Sequence, residues 1–391
     1  MIKKMYPYFD IFSYATSWEN EIYRKTLLKH IKDTYRSKAI ILLIFFPVDI
    51  FIFLFECLII DRKSSIIFIT KKWPDLYSYN NKYRKIFIGP PSSIYFAMKH
   101  RGIYIPASFL YLIVSVYPSG KEFRSLINLM AIKVATYTLG RFATCNSVLV
   151  HHSDALPFAR SYVMAAKKNK IRSVCLQHGI FHENFISSER DGFISDINIV
   201  RSEYDASLMR DVVISSEIIV LSDLFLLPIK RYENDGNKYV ILVGEGFDVI
   251  DKKFSSTYIE KLKKVENELS DAGYKVKYRP HPSERRFFSK FDFQDYDLSS
   301  LDLSFSMAIA YIGYSSTLLI EAAENGIHSF NLTIDKSFRK DLNRGSYKIN
   351  PYTIENFING IKIPSKENNN FHRRKSSAVN SFYKIILPKN D

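Results

Sequence analysis

Residues 147–179 read SVLVHHSDALPFARSYVMAAKKNKIRSVCLQHG, and this stretch decides the fold class. Ser147-Val148-Leu149-Val150-His151-His152 is a short β-branched and aliphatic run, the composition of a buried strand. Ser153-Asp154, with Pro157 close behind, marks a helix start. Lys167, Lys168 and Lys170 suit the negative end of that helix's dipole. Arg172-Ser173-Val174-Cys175-Leu176 is the next strand, closing at Gln177-His178-Gly179. Strand, helix and strand at this length make one right-handed parallel crossover, so the chain is expected to be α/β.

The same grammar extends both ways. Upstream, Ile66–Ile69 and Lys85–Gly89 are short runs of β-branched and aromatic residues bounded by turn formers. Downstream, the polar stretch Arg231–Asn237 reads as a linker. A strand over Lys238–Val243 then closes at Gly244-Glu245-Gly246. An amphipathic helix over Tyr258–Ala272 stops at Gly273, and a strand over Lys275–Tyr278 ends in Arg279-Pro280-His281-Pro282. Met307–Ile312 is a further strand, Ser315–Asn325 a helix stopped by Gly326, and His328–Leu332 a strand. The expected organisation is a hydrophobic helical region over 1–63, a Rossmann-like domain over 64–232 and a nucleotide-binding Rossmann-like domain over 238–391. The two Rossmann-like domains would face a cleft.

Length and composition agree with two cores. The chain has 391 residues, longer than most single cores, and 47% of them are apolar. A formal charge of +15 suits anionic partners such as nucleotide phosphates, nucleic acid or an acidic membrane face. Cys57, Cys145 and Cys175 have neither zinc spacing nor a disulfide framework, which points to a reducing compartment without a metal site. The opening residues do not read as a secretory signal. Ala39–Ile60 is apolar apart from Pro47, Asp49 and Glu56, and Arg36, Lys38, Arg62 and Lys63 flank it. Three readings stay open for it: a span, a monotopic lie on an anionic leaflet, or a buried part of the N-terminal core. Arg373-Arg374-Lys375 is expected at the surface.

The candidate chemistry lies at predicted strand ends, where open parallel sheets bind ligands. Ser315, Ser316 and Thr317 open a helix, where hydroxyls and unpaired amides favour an anion; the alternative is an ordinary helix cap. Glu321, one turn on, could reach ribose hydroxyls or serve only as a favourable acid near the helix start. Arg279 and His281 sit in a loop stiffened by Pro280 and Pro282, which holds two donors toward a phosphate or is simply a rigid turn. Gly246 in Gly244-Glu245-Gly246 could allow close approach of a ligand. His178 could take a proton from an acceptor hydroxyl, and Asp154 could orient it, act as the base itself, or cap its helix.

In chain order, Gln177-His178-Gly179, Arg279-Pro280-His281-Pro282, and Ser315-Ser316-Thr317 with Glu321-Ala322-Ala323 and Gly326 resemble a known group. That group is the bacterial surface-polysaccharide glycosyltransferases of GT-B fold. It includes the CDP-glycerol teichoic acid polymerases, the capsule Kdo transferases and the bacterial sialyl- and polysialyltransferases. The match covers roughly Ser147 to Leu332. The resemblance implies that His281, Ser315 and Ser316 hold the donor phosphate, with Arg279 assisting and Glu321 on the ribose. His178 would correspond to the general base of the teichoic acid polymerases. The acidic-acidic-glycine motif of the sialyltransferases is approached only by Glu189-Arg190-Asp191-Gly192, where Arg190 splits the acids.

The implied activity is transfer of a sugar, without metal or cofactor, from a CMP-linked donor to a lipid-linked or oligosaccharide acceptor. Its setting would be capsule, O-antigen or lipooligosaccharide synthesis, in the cytoplasm at the inner face of a bacterial membrane. A nucleotide-sugar epimerase of the same fold is one alternative. A nucleic-acid-binding protein is the other, although the basic residues are scattered and form no known module.

Overall fold

A computed structural model describes residues 43–44, 46–69, 74–78, 83–115, 121–152, 157–177, 193–210, 216–226, 238–246, 252–282, 284, 288–334, 349–362 and 371–387. These fall into two compact units. The first holds the described residues up to Gln177, Phe193 to Leu221, and Ser377 onward; the second holds Ser222 to Ser376.

The first unit is built on β1 (Ser65–Phe68), β2 (Arg84–Gly89), β3 (Ile103–Pro106), β4 (Val148–His151), β5 (Arg172–Leu176), β6 (Ile197–Val200) and β7 (Glu217–Val220). Their order is β3-β2-β1-β4-β5-β6-β7 and every pair is parallel. Both faces of such a sheet are covered, so β1, β4 and β6 are mostly apolar and buried along their whole length, Ser65, His151 and Asn198 included. The predicted crossover is present as β4, the Pro157–Lys168 helix and β5. Pro157 stands at the first helical position, where its missing N–H costs nothing. Lys170, at φ 55, turns the chain out of the helix toward β5.

The second unit carries β8 (Tyr239–Val243), β9 (Val276–Arg279), β10 (Ala308–Gly313), β11 (His328–Asn331) and β12 (Asn350–Pro351), all parallel, in the order β12-β11-β10-β8-β9. Counted within the unit this is a 2-1-3-4-5 sheet, whose strand order reverses between β8 and β10. The helix before β9 runs over Lys252–Asp271, earlier than predicted, because its apolar stripe already begins with buried Phe254 four residues before Tyr258. Gly273 and Gly326 follow their helices at φ +84 and +73, the left-handed conformation expected of helix stops. Met307 closes a short helix capped by Ser300 instead of opening the strand.

The chain is therefore α/β with two Rossmann-like parallel sheets, the GT-B-like class. The apolar N-terminal segment forms a helix over residues 46–59. Phe53 and Cys57 pack against the first core and Ile60 is part of it. Arg141 ties down the end of the segment, donating to the carbonyls of Ile60 (2.9 Å) and Cys57. No helix among the described residues is long and apolar enough to cross a membrane. Arg373-Arg374-Lys375 is not the plain surface tract expected. Arg374 pairs with Asp223, and buried Lys375 donates to the Leu224 carbonyl.

Candidate functional site

The parallel strands of the second unit present their carboxyl ends on one edge, and the predicted donor residues follow three of them. Gly246 lies just beyond β8, Pro280-His281-Pro282 beyond β9, and Tyr314-Ser315-Ser316 beyond β10. The switch between β8 and β10 is the place where an open sheet leaves a crevice.

Two buried carboxylates tie these loops together. Glu245, 8% exposed, accepts on Oε1 the N–H groups of Tyr314 (2.9 Å), Ser315 (2.7 Å) and Ser316 (2.9 Å). Its Oε2 accepts the Ser315 hydroxyl at 2.9 Å. Glu284, 2% exposed, accepts the Gly246 N–H (2.8 Å) on Oε1, and the His281 N–H (2.7 Å) and Tyr278 hydroxyl (2.8 Å) on Oε2. Gly244 makes room for this: a Cβ there would stand 2.3 Å from Glu284 Oε2 and 2.6 Å from the His281 nitrogen. Gly246 turns the chain at φ +70. Tyr258 and Tyr278 are buried beside these acids. Burial raises both phenols well above their ordinary range, with Glu245 and Glu284 adding to the shift, so both stay protonated donors.

The predicted residues therefore have distinct surroundings. The Ser315 amide and hydroxyl and the Ser316 amide meet the chain's own carboxylate. Ser316 caps the Thr317–Glu324 helix, its hydroxyl accepting from the Leu318 N–H at 3.2 Å. Thr317 opens that helix and half-buried Glu321 lies one turn along it. His281 and Pro282 are exposed, while the His281 backbone is fixed by Glu284. Arg279 is held differently: its Nη1 donates to Asp297 Oδ2 (2.7 Å) and to the Ser299 carbonyl (3.2 Å), and its side chain is 13% exposed. Burial would raise the Asp297 carboxyl, but hydrogen bonds from Ser299 and Ser304 and the Arg279 guanidinium outweigh it and hold the group below its ordinary value. His178, Asp154 and the Glu189–Gly192 stretch lie outside the described residues. Among the described residues no group of three or more His, Cys, Asp or Glu could hold a metal ion.

Sequence reasoning passed over Glu284 and gave Glu245 no role of its own. A signal was present for Glu245, an acid between two glycines at a strand end facing a hydroxyl-rich helix start. For Glu284 it was fainter, an acid three residues beyond His281.

No family model matches the chain. It is 24% identical over 335 residues to the uncharacterized protein MJ1060 of Methanocaldococcus jannaschii, covering 80% of this chain and 55% of that one. The chain thus spans about half the length of this curated relative. Among solved structures it is similar to the Methanocaldococcus jannaschii UDP-GlcNAc 2-epimerase in complex with UDP-GlcNAc and UDP. There the TM-score is 0.51 at 15% identity, over 83% of this chain and 99% of that one. It also aligns with the wall teichoic acid polymerase TagF at a TM-score of 0.40 and 13% identity, over 82% and 84% of the two chains. The first likeness shows a shared fold.

Proposed function

We propose that the protein is a GT-B-type glycosyltransferase that takes its sugar from a nucleotide-activated donor, CMP-linked by the resemblance of its motifs. One observation carries the reading. The exposed, proline-braced His281 loop and the Ser316-capped helix start lie on the carboxyl edge of one parallel sheet, beside its β8–β10 switch.

With the Ser315 amide and hydroxyl and the Ser316 amide on Glu245, the donor phosphate falls to His281, Thr317 and the positive end of the helix dipole. Arg279, neutralised by Asp297, braces the loop and Glu321 meets the ribose. The His281 imidazole and the helix terminus would stabilise charge on the departing phosphate, and His178 or Asp154 would deprotonate the acceptor hydroxyl. The acceptor is an oligosaccharide or a lipid-linked glycan of a capsule or lipopolysaccharide, met at the inner face of the cytoplasmic membrane.

Thermal-shift binding of CMP, CDP, UDP and GDP tests this on wild type and His281→Ala. A cytidine nucleotide is expected to stabilise the wild type and to lose most of that effect in the variant. Preference for UDP would overturn the donor class, and no shift with any nucleotide would remove the enzyme reading. A second reading, epimerisation of a nucleotide sugar, is favoured by the fold shared with the epimerase that binds UDP-GlcNAc and UDP. Incubating a nucleotide sugar without acceptor separates the two, since only an epimerase converts it.

A further inference from the structure

The helix over residues 46–59 turns an unusual side to solvent. Val48, Phe51, Leu54, Phe55, Leu58 and Ile59 are all exposed, Phe51 to 70% and Leu58 to 85%. The Lys121–Phe142 helix carries the surface on. Leu126, Met130, Lys133 and Tyr137 recur at four-, three- and four-residue spacing, so they share one face, and all four are exposed. Contacts join the two helices, with the Phe53 and Tyr137 rings 6.3 Å apart. Between them opens a cavity of about 460 Å³, lined by Phe46, Ile50, Phe53, Phe109, Val134 and Tyr137. Folded monomers rarely leave so much contiguous apolar surface in water.

We propose that this face lies in the acyl-chain region of an anionic phospholipid leaflet, with the cavity receiving the end of an acyl chain. Three observations favour lipid as the occupant. The exposed side chains are aliphatic and aromatic apart from Lys133, and the cavity is mostly apolar, with Asp49, Ser108, Lys133 and Thr138 as its polar side chains besides the tyrosine hydroxyls. Of the two acids on the helix, Asp49 is buried and Glu56 half-buried, and burial raises both carboxyls above their ordinary range. Among the described residues the exposed charge at the margin is mostly cationic: Lys133 within the face, and Arg62 and Lys63 just past the helix, beside Asp61, 4.0 Å from the Lys63 ammonium. The whole chain carries +15. Apolar area edged with basic residues is the signature of a helix lying in the membrane interface. Anchored by Arg141 and the first core, the helix would hold the protein on the leaflet without crossing it.

The proposal deepens the reading above, since it supplies the place where a lipid-linked acceptor is met, but its test needs neither nucleotide nor acceptor. Purified full-length protein is sedimented with vesicles of phosphatidylcholine alone or with about a quarter phosphatidylglycerol. Wild type is expected to partition onto the anionic vesicles, and the Phe51→Glu, Leu58→Glu double variant to lose at least about tenfold. Leu298→Glu, at an exposed leucine of the second unit, is expected to bind as wild type. The replaced side chains are all exposed, and circular dichroism checks that each variant is folded. In Leu58→Trp, quenching by lipids brominated on their acyl chains, beyond that of the two native tryptophans, places the face at hydrocarbon depth. Equal binding by the double variant, or no binding by wild type, overturns the proposal. So does a wild-type dimer that the double variant converts to monomer without any vesicle binding, since the face would then join two copies. Vesicle binding by wild type without any nucleotide shift would sink the donor reading alone, and a nucleotide shift without vesicle binding would sink this proposal alone, so the two failures are distinguishable.

Discussion

Glu245 gathers three main-chain N–H groups and a hydroxyl onto one carboxylate, so its removal orphans several buried donors at once. Each buried donor left unpaired costs about 1–3 kcal/mol. Glu245→Ala is therefore expected to destabilise the second unit by about 3 kcal/mol or more, and Glu245→Gln, which keeps an acceptor oxygen, by about 1–2 kcal/mol. Urea unfolding followed by circular dichroism checks the order, and equal losses would mean that charge, not acceptance, matters. Asp297 gives a pH-dependent counterpart. Its carboxyl is held below the ordinary value of 3.8 in the folded protein, so the folded state binds its proton less readily than the unfolded chain does. The stability it contributes is present at neutral pH and is lost as the pH falls through the range below 3.8. Breaking a buried pair of this kind costs about 3 kcal/mol, so Asp297→Asn should unfold at lower temperature at pH 7 and differ little from wild type once the acid range is reached. A difference that persists undiminished in acid would show that Asp297 acts through packing alone. At this scale the sequence was a partial guide. Arg279 and His281 share a loop in sequence, yet one side chain is tied to Asp297 eighteen residues away and the other is exposed. Nothing in local spacing tells which arginine a distant aspartate will claim.

At the scale of elements, two glycines that look alike in sequence do different work. A Cβ on Gly244 would drive into Glu284 Oε2 at 2.3 Å and the Tyr278 hydroxyl at 2.6 Å, in a buried network with no room to yield. A Cβ on Gly273 would meet nothing within 4 Å, and the only obstacle there is φ +84. Gly273→Ala should thus cost about 1 kcal/mol, the ordinary penalty of the left-handed region. Gly244→Ala should cost clearly more and loosen the loops after β8 and β9 together. Thermal unfolding ranks the pair, and amide hydrogen exchange at Gly246 and His281 reports whether those loops open in the Gly244 variant. Elements were also what the sequence showed best. Parallel strands buried on both faces are rich in apolar residues, and helices ending in left-handed glycines announce their stops, so β4, β5 and β8 and the ends of the two glycine-stopped helices lie within a few residues of expectation, although the first of these helices begins six residues early. The Leu301–Met307 helix was missed because its serines and short length mask the apolar period, and Ser300 as its cap is visible only in the fold.

At the scale of the whole molecule, the charge of +15 suits a nucleotide enzyme and a nucleic-acid binder alike, and the salt dependence of binding separates them. Polynucleotide affinity built on many phosphate contacts releases many counterions, and with six to ten such contacts it falls by about 10³–10⁵ between 50 and 200 mM salt. A single nucleotide held on the carboxyl edge of the second sheet by hydrogen bonds, one imidazole and a helix terminus engages only one or two phosphates. Its affinity should change by no more than about tenfold over the same range, because so few phosphate contacts release few counterions. Fluorescence anisotropy with a labelled cytidine nucleotide and with a labelled single-stranded oligonucleotide, titrated in parallel at both salt concentrations, measures the two slopes. A shallow slope for the nucleotide that His281→Ala abolishes, beside a steep slope for the oligonucleotide that the same change leaves alone, is the expected result. It would assign the nucleotide to the sheet edge and the polyanion affinity to surface charge, the same charge that draws the apolar face of the first unit toward an anionic leaflet. Two steep slopes, both indifferent to His281, would make the scattered lysines and arginines the whole of the binding and leave the sheet edge without a ligand.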